Sequence, residues 1–292
     1  MKVNGFLVLD KPGGMTSHDL VGQVRRTFSM KKVGHAGTLD PMATGVMVIG
    51  LGDATRLLSY ITEGRKEYEA IIRLGITTVT DDREGEILSR ADSATLAAIT
   101  DQQIEAELHM MRGRILQRPS AVSAVKIDGR PAHERIRSGE KVEIPPREVE
   151  IESITVEKIE TGDFCDISIS VICSAGTYIR AIARDLGEAL GVGGHLISLR
   201  RTRVDPFSIQ EASALEDKKI LPIVDVLSHV MPIRQVSEDE EREISFGRPL
   251  SLNAVEGTCA AVNSRGEFLA LLENKKIMGR DVASPIMVVV RQ

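Results

Sequence analysis

Residues 34–45 of the chain are Gly34-His35-Ala36-Gly37-Thr38-Leu39-Asp40-Pro41-Met42-Ala43-Thr44-Gly45, and an apolar run over 46–49 follows directly. The glycines let the backbone turn tightly and let a large ligand approach it closely. Pro41 disfavours helical conformation at Asp40, so we expect this carboxylate in an extended segment or a turn. A restrained carboxylate in such a loop is how a nucleophile or a general base is presented. A plain Asp-Pro turn fits the same residues, so this segment alone leaves both interpretations open.

Length and composition limit the class of protein. The 292 residues are enough for one large domain and one small one, and a charged fraction of 27% is typical of a globular chain. No apolar run approaches the ~20 residues of a membrane helix, and the first residues show no signal-peptide pattern. The histidines and cysteines are too scattered for a metal site or a disulfide framework. We therefore expect a cytoplasmic protein that binds no metal, with free cysteines at Cys165, Cys173 and Cys259.

The distribution of charge is more informative than its sum. A net charge of -5 argues mildly against a nucleic-acid-binding protein. Basic residues nevertheless outnumber acidic ones over 112–147, and acidic residues concentrate elsewhere, in 81–86 and 238–243. Any single basic stretch is most often an ordinary solvated surface, but several in one weakly acidic chain indicate a basic side suited to a phosphate backbone. Two further basic groups are Arg200, Arg201 and Arg203, and Arg25, Arg26, Lys31 and Lys32.

Hydrophobic periodicity predicts alternating strands and helices. A helix capped by Thr16 or Ser17 carries its apolar face on Leu20, Val21, Val24 and Phe28. Further helices are predicted over 54–61, 95–110 and 178–190. Strands are predicted over 5–10, 46–50, 66–74, 149–159 and 166–173.

Two segments suggest how the chain is divided. Residues 119–146 are irregular and basic, and loops of that length are usually functional or mobile. A boundary is expected near 227–237, before an acidic run. The last ~55 residues contain short apolar segments that predict a small β-rich module. We therefore predict a larger domain over 1–232 and a smaller one over 233–292.

The Asp40 loop resembles the signature motif G-H-x-G-x-L-D-P of the TruB family of tRNA pseudouridine synthases. Further segments resemble that family in the family's own order, and together they cover roughly residues 5–203. They are Gly5-Phe6-Leu7-Val8-Leu9-Asp10-Lys11-Pro12-Gly13-Gly14-Met15-Thr16-Ser17, Lys66-Glu67-Tyr68 with Arg73-Leu74-Gly75, Cys173-Ser174-Ala175-Gly176-Thr177-Tyr178-Ile179-Arg180, and Gly194-His195-Leu196-Ile197-Ser198-Leu199-Arg200-Arg201.

The resemblance implies a fold. It is the mixed α/β (α+β) pseudouridine synthase fold, with a central, largely antiparallel sheet and a small C-terminal β-rich, PUA-like RNA-binding domain. Residues 119–146 stand where the family has a thumb-like insertion that closes over RNA. The chain departs from the family there, since His133 replaces a usual tyrosine and Ile136 a usual small residue. This departure puts detailed thumb contacts in doubt, not the reaction.

The resemblance also implies a reaction and its residues. Uridine becomes pseudouridine when the N1–C1′ bond breaks, the uracil turns, and the base is rejoined through C5. Neither hydrolysis nor redox chemistry takes place, so no metal or cofactor is expected. By resemblance, Asp40 is the nucleophile and Arg180 its partner, since a guanidinium keeps a partly buried carboxylate ionised. Tyr68 is expected to stack on the base and is a candidate for removing the C5 proton.

The remaining site residues are expected to bind substrate. Tyr178 and Leu199 would line the uracil pocket, His35 would help to hold the flipped-out nucleotide, and Lys11 would support the loop beneath the site. Ordinary alternatives stay open for each of these residues: packing for Tyr178 and Leu199, and a backbone-bonded loop histidine for His35. Likewise, Tyr68 fits a core position, and Arg180 fits a surface helix on which it pairs with Asp185 or Glu188.

The expected substrate is uridine 55 in the T loop of tRNA, bound by a stand-alone bacterial-type enzyme that acts as a monomer. Three other functions fit the sequence less well. A phosphate-cradling loop is a poor fit, because the sequence lacks the Gly-Lys-Ser/Thr ending. A purely RNA-binding or chaperone module is disfavoured by the intact set of Asp40, Tyr68 and Arg180. A guide-RNA-dependent relative would share the core motifs but would need protein partners.

Overall fold

The computed structural model describes residues 3–122, 126–127, 130–131 and 144–289. Two 3₁₀ helices, Gly52–Leu57 and Ile209–Glu211, accompany the helices and strands. Within the described ranges the elements are β1 (Gly5–Lys11), α1 (Ser17–Thr27), β2 (Val33–His35), β3 (Thr44–Leu51), α2 (Leu58–Thr62), β4 (Lys66–Leu74), β5 (Ile76–Thr78), β6 (Ile87–Arg90), α3 (Ser93–Ala97), α4 (Asp101–Met110), β7 (Gly113–Gln117), β8 (Lys126–Ile127), β9 (Arg130–Pro131), β10 (Arg147–Thr161), β11 (Cys165–Cys173), α5 (Ile179–Ala189), β12 (Gly194–Val204), β13 (Phe207–Ser208), α6 (Ile223–Leu227), β14 (Ile233–Gln235), α7 (Glu238–Ser245), β15 (Thr258–Val262), β16 (Phe268–Ile277) and β17 (Arg280–Val288).

The main sheet is mixed and largely antiparallel. Its strands follow the order β1-β3-β12-β4-β11-β10-β7, with β2 beside β3 and β13 beside β12. The pairing of β3 with β12 is parallel, through Arg200 opposite Thr44 and Arg201 opposite Gly45. The other pairings in this sheet are antiparallel. The predicted fold class is therefore confirmed.

Side-chain alternation along the strands builds a core on each face of this sheet. In β1, Leu7 and Leu9 join one buried cluster, whereas Phe6 and Val8 join another on the opposite face. The first cluster is completed by the apolar faces of α1 and α5. In α5 that face includes Ile182 and Leu186, as the periodicity predicts.

Two predicted helices differ from the structure. The segment 95–110 is not one helix but two, α3 and α4, because Thr100 begins a new one. Its side chain accepts from the Gln103 backbone N–H while the Gln103 side chain accepts from the Thr100 backbone N–H, a reciprocal capping box. The segment 54–61 starts as the 3₁₀ helix Gly52–Leu57 and becomes α-helical only in α2.

A second, four-stranded sheet of order β14-β15-β16-β17 confirms the β-rich C-terminal region. It begins at Ile233, although a division into two domains at residue 232 stays a prediction. Most of the basic segment 119–146, with His133 and Ile136, lies outside the described residues. None of the helices in the described ranges is long and apolar enough to cross a membrane.

Candidate active site

The Asp40 loop connects β2 to β3 and contains a tight turn. The backbone N–H of Ala43 donates to the Asp40 carbonyl at 3.1 Å, which closes a four-residue turn with Pro41 at its second position. The N–H of Gly14 donates to the Pro41 carbonyl at 2.9 Å and ties the loop to the end of β1. The Asp-Pro turn is therefore real, and it coexists with an ion pair made by its carboxylate.

Arg180, in the first turn of α5, forms that ion pair. Its Nη2 donates to Oδ1 of Asp40 at 3.0 Å, and its Nε lies 3.0 Å from Oδ2. The Arg180 side chain is 6% exposed and the Asp40 side chain 30%, so the carboxylate keeps one open side for a substrate. The contact through Nη2 is a hydrogen bond, whereas Nε approaches Oδ2 as an ion-pair contact without hydrogen-bond geometry.

The alternative partners of Arg180 are engaged elsewhere. Asp185 pairs with Arg184 at 2.7 Å, and Glu188 pairs with Arg118 at 3.3 Å. The interpretation of Arg180 as a surface arginine of its helix is therefore wrong.

Three further contacts hold the Arg180 guanidinium. Nη1 donates to the Thr80 carbonyl at 2.6 Å, Nη2 donates to the Val122 carbonyl at 3.1 Å, and Nη1 lies 3.4 Å from Oδ2 of Asp82. Asp82 is 3% exposed and is itself held by the Thr80 hydroxyl at 2.5 Å. Arg180 thus lies between two carboxylates, and its position is fixed on several sides.

The electrostatics of Asp40 depend on this arrangement. Burial raises the pKa of the Asp40 carboxyl above its ordinary value, and the nearby Asp82 carboxylate adds to the rise. The charge of Arg180 is the largest influence in the opposite direction. The guanidinium therefore supplies most of what keeps this carboxylate ionised.

Two buried side chains hold the loop backbone from below. Nζ of Lys11 donates to the carbonyls of Met15 at 2.7 Å, Pro12 at 2.8 Å and Pro41 at 3.3 Å. Burial lowers the pKa of this ammonium to about 8. Ser17 makes a reciprocal pair with the loop, because its Oγ accepts from the Leu39 N–H and donates to the Leu39 carbonyl, both at 2.9 Å.

Arg201 also holds the loop from inside the protein and is only 1% exposed. Its Nε donates to the Val46 carbonyl at 2.8 Å, Nη2 to Gly37 at 3.2 Å and Nη1 to Thr38 at 3.4 Å. Gly45 lies beside its backbone with φ +106°, and a Cβ there would stand 2.1 Å from the Arg201 carbonyl oxygen. Only glycine fits at this contact between β3 and β12.

Tyr68 is buried in β4, 7% exposed, between Val171 of β11 and Arg201 of β12 in the strand register. Burial raises the pKa of its phenol, and the charge of Arg201 is the largest opposing influence. The Asp40 carboxylate also raises that pKa, so the two groups are close enough to interact electrostatically. The stacking role of Tyr68 stays a prediction.

The predicted substrate-binding residues occupy different elements. Leu199 is 6% exposed in β12, opposite Ala70 of β4. Tyr178 precedes α5, and the Arg147 guanidinium covers its ring at 4.7 Å. His35 ends β2, and burial lowers the pKa of its imidazole. Their contacts with substrate stay predictions.

Comparison with known proteins places the chain in a family. Residues 25–179 match the model of the TruB family pseudouridylate synthase N-terminal domain. The chain belongs to the TruB family. Residues 180–223 match a tRNA pseudouridylate synthase B C-terminal domain, and 231–284 match the C-terminal domain of tRNA pseudouridine synthase II. It is therefore an enzyme, an isomerase of the pseudouridine synthase type.

Individual relatives agree with the TruB family models. The chain is 49% identical over 290 residues to tRNA pseudouridine synthase B of Corynebacterium diphtheriae, covering 97% of both chains. A structure of an H/ACA RNP bound to a substrate RNA containing 2′-deoxyuridine aligns with a TM-score of 0.70 at 23% identity, over 98% of this chain and 85% of that one. A crystal structure of a Cbf5-Nop10-Gar1 complex aligns with a TM-score of 0.68 at 26% sequence identity. The alignment covers 99% of this chain and 84% of that one.

Two residues of this TruB family site escaped the sequence analysis. Asp82 belongs to the acidic run 81–86, to which the sequence assigns no role, yet it is buried beside Arg180. Arg201 was grouped with exposed arginines expected to contact RNA, yet it is buried against backbone carbonyls. The available signal for Arg201 was period-two alternation along β12, which turns Arg200 and Arg201 to opposite faces.

No group of three or more His, Cys, Asp or Glu side chains in the described part of the chain is placed to hold a metal ion.

Proposed function

We propose that this TruB family enzyme converts uridine 55 in the T loop of tRNA to pseudouridine, with Asp40 as the nucleophile. The observation that carries the proposal is the buried ion pair and hydrogen bond of Arg180 with a carboxylate that keeps one open side. The tRNA substrate is supported by the name of the relative that is 49% identical over nearly the whole chain.

In the proposed reaction the target nucleotide is first turned out of the RNA loop, because an enzyme cannot reach a stacked base. The ionised Asp40 then acts on the nucleotide. The N1–C1′ bond breaks, the uracil turns, and a C5–C1′ bond forms. C5 loses its proton and N1 gains one, so the product is an isomer of the substrate and no redox partner is consumed.

The other site residues take roles that fit their surroundings. Arg180 keeps Asp40 charged and aimed. Tyr68 stacks on the base, and its phenol is the group we assign to the C5 proton. Tyr178 and Leu199 form walls for the detached uracil, and His35 holds the flipped nucleotide. Lys11 supports the loop through the Pro41 carbonyl.

The proposal extends to the rest of the chain. The domain over 1–232 performs catalysis, with the insertion at 119–146 closing over the T arm, and residues 233–292 add RNA contacts. We propose a cytoplasmic monomer without an obligatory protein partner. The solved relatives described above, in contrast, are parts of complexes.

The test is to incubate the protein with an unmodified tRNA transcript and to map pseudouridine along it. We expect product at position 55 with the wild-type protein and none with Asp40→Asn, which keeps the shape of the side chain but removes its charge. Asp217→Asn, at an exposed aspartate, is the matched control and should retain activity. Absence of product at position 55, or full activity in Asp40→Asn, would overturn the proposal.

A further inference from the structure

A cavity of about 360 Å³ lies beside the Asp40 loop, on the outer side of α1 and β2. Its walls come from α1, the turn that follows it, β2 and the segment around Thr55 and Leu58. The side chains that could carry positive charge there are His18, Arg25, Lys31, Lys32 and His35, and no carboxylate is among its lining residues. Of its lining residues, only His35 has a role in the reaction proposed above.

Two of these cations are available to a ligand. Lys32 is largely neutralised by Asp53, whose Oδ1 lies 2.7 Å from Nζ. Arg25 and Lys31, in contrast, have no acidic partner among the residues that the structure describes. Nη2 of Arg25 donates to the Val33 carbonyl at 3.1 Å, which fixes the guanidinium at the wall of the cavity and leaves its other N–H groups free to bind.

The cavity is connected to the catalytic loop through β2. His35 ends that strand, and its ring meets the ring of His18 edge-on at 5.9 Å between centroids. Asp40 follows five residues later, so the chain between them spans at most about 18 Å. An RNA strand whose target nucleotide reaches Asp40 can therefore pass its neighbouring backbone across this cavity.

We propose that this cavity binds a backbone phosphate of the substrate RNA, next to the nucleotide that reacts. The inference rests on the proposed function for the identity of the RNA. A guanidinium held in place offers paired N–H donors that match phosphate oxygens, and Lys31 adds a mobile point charge. Binding a phosphate there releases condensed counterions, which makes the contact dependent on salt.

The structure separates the basic group of Arg25, Arg26, Lys31 and Lys32 into members with different surroundings. Arg25 lines the cavity, whereas Arg26, the next residue of the same helix, does not. Both side chains are exposed and both carry the same charge. Arg26→Ala is therefore a matched control for Arg25→Ala.

The first measurement is equilibrium binding of a T-arm stem-loop RNA at several salt concentrations. Arg25→Ala should raise the Kd roughly tenfold, as expected for the loss of a charged hydrogen bond. It should also reduce the slope of log K against log salt by about one. Lys31→Ala should act in the same direction, and Arg26→Ala should match the wild-type protein. Equal effects of Arg25→Ala and Arg26→Ala would overturn the proposal.

A second measurement locates the phosphate. Each phosphate flanking the target uridine is replaced in turn by a neutral methylphosphonate. We expect one position at which the methylphosphonate weakens RNA binding by the wild-type protein. At that position it should not weaken binding by Arg25→Ala any further, because the contact is already lost in that variant. The phosphate assignment fails if every methylphosphonate still weakens binding by Arg25→Ala while an abasic nucleotide no longer does. The cavity would then bind a base. These measurements report RNA binding and not pseudouridine formation. A protein that binds as expected but forms no pseudouridine would contradict the proposed function and leave the phosphate site standing.

Discussion

Buried cations hold the Asp40 loop on two sides, and each side uses them differently. On the carboxylate side, Arg180 faces two charged groups, Asp40 and Asp82. On the backbone side, Lys11 and Arg201 donate hydrogen bonds to neutral backbone carbonyl groups. A cation beside a carboxylate keeps that carboxylate ionised. A cation that donates to backbone carbonyls fixes the position of the loop backbone. A buried cation can therefore serve the chemistry or the scaffold, according to the group that it contacts.

Arg180→Ala should give the largest effect, and on the chemistry more than on RNA binding. Breaking a buried ion pair costs about 3–5 kcal/mol. If all of it is lost from the stabilisation of the transition state, the rate of pseudouridine formation falls roughly 150- to 5000-fold. Single-turnover rates with saturating enzyme, set beside equilibrium RNA binding, test this. Arg184→Ala, one turn along α5, breaks ion pairs away from Asp40 and serves as the control. Equal losses of rate and binding in Arg180→Ala would show that Arg180 is mainly an RNA contact.

Arg201→Ala should act chiefly on stability. It leaves three backbone carbonyls without their donor, so the free energy of unfolding should fall by about 3 kcal/mol or more. Arg201→Lys keeps the charge but cannot reproduce the planar fork, so it should restore only part of the loss. Denaturant unfolding measures both. A variant of normal stability that forms no pseudouridine would instead show that Arg201, like Arg180, acts in the reaction.

Asp82→Asn should produce a smaller change, in the pH dependence of activity. The Asp82 carboxylate raises the pKa of Asp40. Its neutral replacement therefore lowers that pKa, and Asp40 stays ionised to lower pH. The acid limb of kcat/KM should move to lower pH, with the amide oxygen still able to accept from the Thr80 hydroxyl. An acid limb that stays in place or moves upward would show that Asp82 does not act on the charge of Asp40.

The smallest effect is expected in the pH dependence of the stability of Lys11→Met, apart from the overall loss that follows because three carbonyls lose their donor. The folded pKa of Lys11 is about 8, below the ordinary 10.5. Between these values the unfolded chain keeps a proton that the folded chain has released, so stability rises with pH. The variant lacks this contribution, and its free energy of unfolding should rise less than that of the wild type between about pH 8 and pH 10. The thiol of Cys173, with a pKa of about 11, acts in the opposite direction in both proteins and cancels in the difference.

Local patterns were enough to predict the elements that carry the site. The alternation of β4 and the apolar stripe of α5 depend on burial of one face, which sequence periodicity records directly. The pairing of Asp40 with Arg180 joins residues 140 positions apart. Periodicity holds no information about such a contact, and the expectation came from the family resemblance alone.

The errors share a physical cause. Nothing in the acidic run 81–86 distinguishes Asp82 from its neighbours until the chain folds and Thr80 binds its carboxylate. Thr100 looked like one more residue of a continuous helix, because an N-cap differs from a mid-helix threonine only in its local hydrogen bonds. Polar residues change role with tertiary surroundings, and one-dimensional patterns describe them less well than apolar ones.

The buried cluster that contains Phe6 and Val8 of β1 affects how the molecule unfolds. Its side chains come from the main sheet and from the second sheet together, so neither sheet can lose this packing without exposing apolar surface on the other. Separation of the two would cost about 25 cal/mol for each Å² uncovered. We therefore expect the two sheets to lose their stability together when this packing is disrupted. The residues that interlock them are Phe6, Val8, Val46, Val48, Ala260, Phe268, Leu271 and Met287.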